Sequence, residues 1–203
     1  MSIKIVLNHV EKNIKKKEIL HDVCAEFLGE HIYGIVGPNA SGKTMLLRAI
    51  AGFLYLDGGE VIREPAKLGM GVIIEDPAFL PNYTGLENLD LLSKIKKQID
   101  LDCIRRTMLR VGLNPDDKRK VKEYSLGMKQ KLAVAQAVME SPELLLLDEP
   151  TRALDSESLV LVRNVILEEK QRGACILIAS HNPDDIKELC DKVYRMDNGH
   201  LMN

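Results

Sequence analysis

The chain has 203 residues, with 28 Lys+Arg against 30 Asp+Glu and a formal charge of −2. That length supports one well-buried core and is short for two full domains, and the near-neutral charge gives no global pull toward nucleic acid or an anionic membrane. With 45% apolar and 29% charged residues the composition is that of an ordinary globule, not a disordered chain.

Residues 3–10 and 23–28 alternate loosely between apolar and polar and read as strands. Residues 31–36 are a mostly apolar strand that ends in glycine. A glycine-rich loop follows, then a compact apolar helix over 45–51 closed by Gly52. Short strands are expected at 60–63 and 70–74. Thr84 and Glu87 have capping-box spacing ahead of an apolar helical period at Leu86, Leu89, Leu92 (or Asp90) and Ile95. Further helices are expected over 101–111 and 126–139, so the middle of the chain reads as all-helical. Strand–helix alternation then returns: strands at 143–148, 174–179 and 193–196, helices near 155–172 and 184–190, and a turn at Asp197, Asn198 and Gly199. The pattern implies an α/β sheet with an N-terminal β region and a helical insert.

No apolar run nears the roughly 18–20 residues of a spanning helix, and the first residues lack the apolar core of a signal peptide. Cys24, Cys103, Cys175 and Cys190 are scattered without C-x-x-C spacing, so a zinc site or disulfide framework is not expected and reduced thiols are.

The segment Gly37, Pro38, Asn39, Ala40, Ser41, Gly42, Lys43, Thr44 fits G-x-x-x-x-G-K-[ST]. Its glycines let backbone N–H groups curl around phosphate oxygens, Lys43 reaches the β- and γ-phosphates, and the Thr44 hydroxyl can bind Mg²⁺. The helix after the loop adds the positive end of its dipole. Four leucines then lead into Asp148 and Glu149. A carboxylate at the end of a buried strand, Asp148, can share that Mg²⁺, and Glu149 can orient or deprotonate a water attacking the γ-phosphate.

Three further segments occur in a telling order: Tyr124-Ser125-Leu126-Gly127-Met128-Lys129-Gln130 before the Asp-Glu strand, Thr151-Arg152-Ala153-Leu154-Asp155 after it, and Ser180-His181 after the next strand. With the phosphate loop, this order resembles the ATP-binding-cassette (ABC) ATPases, over essentially the whole chain. The resemblance implies one ABC ATPase domain over 1–203: a P-loop NTPase core in 1–74 and 143–203, an N-terminal antiparallel β region, and an inserted α-helical signature subdomain at about 76–140. It implies ATP and Mg²⁺ as ligands, and a head-to-tail dimer with itself or a paralogous cassette. In such a dimer Ser125 and Gly127 cap the γ-phosphate of the neighbour's ATP, Asp155 crosses the seam, and His181 contacts γ-phosphate and the attacking water. It also implies an integral-membrane permease partner that places the chain on the inner face of the cell membrane, with no nucleic-acid partner.

Departures from the family pattern carry information. The signature lacks the usual Leu-Ser-Gly-Gly-Gln, although Ser125 and the second glycine remain. Where a glutamine is usual after strand 70–74, this chain has Glu75. That combination resembles bacteriocin and lantibiotic-type exporters, including self-protection transporters. Glu75 is thus a candidate catalytic and metal residue: it can bind Mg²⁺, raise the pKa of a neighbouring carboxylate, or be a solvated loop acid. Spacing to the phosphate loop puts Ile14 where the family stacks adenine on an aromatic ring. Phe79, Leu80, Pro81 and Tyr83 either form an exposed partner surface or pack beneath the helical insert. Lysine-rich tracts at 15–17, 94–97 and 118–122 read as solvated faces. The function implied is an ATP-hydrolysing transporter subunit, with export of a peptide, antimicrobial or drug. The alternatives are an importer subunit, a cassette ATPase acting on ribosomes or DNA, and a P-loop small-molecule kinase, which would lack Ser125, Gly127, Asp155 and His181.

Overall fold

A computed structural model describes residues 3–15, 17–75 and 78–202. Lys16 of the first lysine tract, and Asp76 and Pro77 beside Glu75, lie outside the described residues, as do Met1, Ser2 and Asn203.

The N-terminal strands are longer than their alternation predicts. β1 (Lys4–Ile14) and β2 (Lys17–Leu28) pair antiparallel, and β4 (Gly58–Glu64) joins the free edge of β1. Register shifts between Leu7 and Val10 and between Val10 and Lys12 interrupt the ladder. Each shift reverses which residues face inward, so the period of two breaks even though the strand continues.

The second sheet holds six strands in the order β5-β6-β7-β3-β8-β9. β3 (Ile32–Val36), β5 (Met70–Ile73), β6 (Leu144–Asp148), β7 (Cys175–Ala179) and β8 (Lys192–Asp197) run parallel, and only β9 (His200–Met202) is antiparallel. Its helices are α1 (Lys43–Ala51), α2 (Gly85–Lys96), α3 (Leu101–Arg110), α4 (Leu126–Val138), α5 (Ser156–Gln171) and α6 (Pro183–Leu189). The expected capping box forms: Thr84 Oγ1 accepts from Glu87 N at 3.2 Å, and Glu87 Oε2 accepts from Thr84 N at 2.6 Å.

The central strands are apolar on both faces because both are covered. Leu144, Leu146, Cys175 and Leu177 face α1 and the antiparallel sheet, meeting Leu46, Leu47, Ile50, Leu7 and Phe27. Leu145, Leu147, Ile176 and Ile178 face the other way, onto Ile104 and Met108 of α3, Leu132 and Val134 of α4, and Val162 and Ile166 of α5. The helical segment therefore shares one continuous core with the sheet. Truncating a central side chain, for example Leu146→Ala, costs about 2–5 kcal/mol at such a site.

Parallel register brings three loops level at one edge. Ile35 of β3 pairs with Ala179 of β7, and Asp148 of β6 pairs with the same residue. The segments beginning at Gly37, Glu149 and Ser180 thus emerge side by side at the carboxyl ends of the strands, where open α/β sheets bind ligands.

Candidate functional site

A cavity of about 1120 Å³ opens at this edge. Its wall includes Asn39, Ala40, Gly42, Lys43 and Thr44 from the loop after β3, Asp148 and Glu149 from β6, Gln130 from α4, and Glu75. The tip of the β1–β2 hairpin closes it with Ile14, Lys15, Lys17 and Ile19. Lys15 and Lys17, read from sequence as part of a solvated face, belong to the cavity wall. Ile14 lines it too and remains 39% exposed.

The loop from Gly37 to Thr44 is built for an anion. A Cβ on Gly37 would lie 2.0 Å from the Met196 carbonyl oxygen, so only glycine fits there. Lys43 is buried and its Nζ donates to the carbonyls of Gly37 (2.8 Å) and Pro38 (2.9 Å). Among the described residues, the Ser41 hydroxyl oxygen is buried without a hydrogen-bond partner. A buried unpaired hydroxyl is costly; a phosphate oxygen in the loop would satisfy it and give the Lys43 ammonium an anion. The residues present fit a nucleotide triphosphate.

The metal-ligand candidates meet beside it. Thr44 Oγ1 donates to Asp148 Oδ2 at 2.6 Å, joining the start of α1 to the end of β6. Burial pushes the Asp148 carboxyl above its ordinary range; the Thr44 hydroxyl opposes this, the Glu149 carboxylate adds to it, and Lys43 and Glu75 act more weakly in opposite directions. A hydroxyl and a carboxylate at hydrogen-bond distance, held in an acidic pocket, are hard oxygen donors suited to Mg²⁺.

Glu149 sits at φ 50° and is held from several sides. Its N–H donates to the Ala179 carbonyl at 2.8 Å. Its carboxylate accepts from His181 N (3.0 Å) and Ser180 Oγ (3.3 Å) and lies 2.7 Å from His181 Nδ1. Gln130, which sequence reasoning did not single out, donates through Nε2 to the carbonyls of Glu149 (3.1 Å) and Pro150 (3.0 Å). Its signal in the sequence is its place at the end of the segment Tyr124–Gln130, one turn into the helix after Ser125.

Glu75 lines the same cavity, but its Oε1 is 2.6 Å from Arg48 Nη2. It also borders a groove of about 360 Å³ with Arg48, Phe53, Ala78, Ala133 and Gln136. Nearby, Phe79 packs onto the helical core, whereas Leu80 and Tyr83 are exposed.

Ser125, Gly127 and Asp155 are not among the residues lining the cavity. Ser125 Oγ caps α4 by accepting from Met128 N at 3.2 Å, and Asp155 Oδ1 caps α5 by accepting from Ser158 N at 2.8 Å. A Cβ on Gly127 would lie 2.8 Å from the Ala153 carbonyl oxygen, so the first turn of α4 touches the loop that leads into α5. This second cluster does not line the cavity of its own chain.

The family model described as ABC transporter matches residues 20–152. The uncharacterized ABC transporter ATP-binding protein YybJ of Bacillus subtilis is 43% identical, over 97% of this chain and 93% of its own. The lantibiotic transport ATP-binding protein SrtF of Streptococcus pyogenes is 31% identical, over 91% of this chain and 83% of its own. In fold, the chain is similar to the ATP-binding cassette MJ0796, solved as a dimer in a post-hydrolysis state with ADP and Pi. That match has TM-score 0.89 and 20% identity, over 98% of this chain and 97% of that one. With the family model covering the phosphate loop through the Asp-Glu strand end, and YybJ alike over nearly its whole length, the chain belongs to the ABC transporter family, as one of its ATP-hydrolysing subunits.

Proposed function

We propose that the chain hydrolyses MgATP between two cassettes and passes their opening and closing to a membrane permease that exports a peptide or antimicrobial. The observation that carries the chemistry is the pairing of Glu149 with His181 at 2.7 Å, next to the Thr44–Asp148 pair.

Loop amides, Lys43 and the Ser41 hydroxyl hold the phosphates; Asn39, Ala40 and Gly42 shape the loop, and Pro38 stiffens its entry. Ile14 meets adenine by apolar contact. Mg²⁺, held by Thr44 and Asp148 with Glu75 close by, supplies charge neutralisation at the phosphates when bound. Glu149 takes a proton from the attacking water as its oxygen bonds to the γ-phosphorus and the bond to the β–γ bridging oxygen breaks, leaving ADP and phosphate. His181 orients Glu149 and reaches the γ-phosphate. A second cassette presents Ser125, Gly127 and Asp155 to complete the pocket, which accounts for their position away from the cavity in their own chain.

Among the described residues no helix is long and apolar enough to cross a membrane. In the proposed scheme the transport path lies in a separate permease, with the cassette at its inner face. The permease contact is the groove bordered by Glu75 and Phe53. Export is supported by the Glu75 and Ser125–Met128 variations and by the likeness to SrtF, whose name records lantibiotic transport.

Glu149→Gln tests the proposal. It keeps nucleotide binding, lowers ATP turnover by about 10²–10⁴-fold, and traps a dimer with MgATP that sedimentation velocity detects. A variant that remains monomeric with saturating MgATP, and shows no nucleotide-driven closure in its membrane complex, overturns the reading.

A further inference from the structure

Two bulges in the β1–β2 ladder bring together three side chains that an unbroken strand pair would spread over both faces. Leu7 pairs with Ala25 and Val10 with Val23, so Asn8 and His9 together oppose the single residue Cys24. Val10 pairs with Val23 and Lys12 with Leu20, so His21 and Asp22 together oppose Glu11. His9 and Asp22 both take positive φ, 52° and 46°. On the far side of β1, Gly59 accommodates the first bulge, since a Cβ there would lie 2.0 Å from the His9 carbonyl oxygen. Bulges re-aim side chains and cluster next to functional sites.

The result is one compact set of donors. His9 Nδ1 is 2.6 Å from Asp22 Oδ1, Cys24 Sγ is 3.7 Å from His9 Nδ1, and the three ligand atoms lie within 4.8 Å of one another. His9 and Asp22 are well exposed, with side-chain exposures of 75% and 67%. Cys24 is the exposed cysteine of the four. Burial pushes the thiols of Cys175 and Cys190 up to about 12, which makes them poor ligands at neutral pH.

From this convergence we infer that His9, Asp22 and Cys24 form a surface site for a borderline divalent transition-metal ion of the Zn²⁺ type. A thiolate, an imidazole and a carboxylate suit Zn²⁺, with a water in the fourth position. Tetrahedral Zn²⁺ holds its ligand atoms roughly 3.3–3.6 Å apart, so the sulfur–nitrogen separation needs little change. The histidine–aspartate pair opens when the ion takes the place of the proton between them. Binding requires a thiolate and a neutral imidazole with Nδ1 free. The Cys24 proton leaves to solvent, and the one between His9 and Asp22 moves to Nε2 or to solvent. The site is independent of the nucleotide pocket and of its proposed role.

Titration of the nucleotide-free full-length chain with Co²⁺ tests this. One equivalent of Co²⁺ produces a sulfur-to-cobalt charge-transfer band in the near ultraviolet, and Zn²⁺ bleaches it. Cys24→Ser abolishes the band, and His9→Ala and Asp22→Asn each weaken affinity by about tenfold or more. ATP turnover measured in parallel stays unchanged in Cys24→Ser, showing an intact fold. The oxygen donors Thr44 and Asp148 give no such band, so cobalt bound there is not counted. No band in the native protein, a band that survives Cys24→Ser, or an affinity indifferent to both His9→Ala and Asp22→Asn overturns the site.

Discussion

Arg48 of α1 and Glu75, just beyond β5, form an ion pair at 2.6 Å that spans the border between the nucleotide cavity and the adjoining groove. Glu75 lies at φ 65°, and its carboxylate faces Arg48 while still raising the Asp148 carboxyl through space. An exposed pair of this kind contributes about 0–1 kcal/mol to stability, so its value lies in position. Glu75→Gln should leave the thermal midpoint almost unmoved while permease-stimulated ATP turnover falls on the order of tenfold, or about 1.4 kcal/mol. Basal and stimulated rates that both match the native protein would remove Glu75 from the coupling.

Asp148 supplies a pH signature. Burial, reinforced by Glu149, keeps its carboxyl above the ordinary value despite the Thr44 hydroxyl. Between that ordinary value and the raised one, the folded state binds more protons than the unfolded chain. Stability at this site therefore falls as pH rises through the window and is level above it. Asp148→Asn has no such loss and keeps an acceptor for Thr44. Nucleotide-free thermal midpoints measured from roughly pH 4 to 8 should show the variant gaining relative to the native protein as pH rises, then keeping a constant difference from it.

Asp185 of α6 joins Thr151 to Arg163 of α5 in a largely buried network. The Thr151 hydroxyl donates to its Oδ2, while Arg163 Nε and Nη2 donate to its Oδ1 at 3.0 and 2.7 Å. Asp185 is fully buried, whereas the Arg163 side chain is half-buried, with 17% of it exposed. Asp185→Ala strands the guanidinium and should cost about 3–5 kcal/mol in urea unfolding. Replacing the pair together, Arg163→Met with Asp185→Leu, should cost far less, because no charge is then left alone. Equal losses from the single and the double change would contradict this account.

Ile14 lines the cavity with an aliphatic side chain, and in the proposed function it is the residue that meets adenine. Ile14→Tyr should tighten ADP binding by about 0.5–1.5 kcal/mol, roughly twofold to tenfold in Kd, read by calorimetry. An unchanged Kd would place the base elsewhere along the cavity.

Much of the site is local chemistry and was legible as such. The phosphate loop from Gly37 to Thr44, the four leucines before Asp148, and the Thr84–Glu87 capping box each depend on residues a few positions apart, and their spacing encodes their geometry. Ser125 and Asp155 are equally local as helix caps. The strand ends of β1 and β2 were harder, because bulges at His9 and Asp22 interrupt the alternation that announces a strand.

By itself the sequence determined which segments are strands and helices, and which residues are candidates for phosphate, metal and proton chemistry. Only the tertiary structure decided that Gln130 grips the carbonyls beside Glu149, that Arg48 holds Glu75, that the helical segment shares its core with the sheet, and that His9, Asp22 and Cys24 converge. The reason is physical: a periodic pattern says that a face is buried but does not specify what covers it, and pairings across long sequence separations are set by strand order and register, which no short stretch of chain contains.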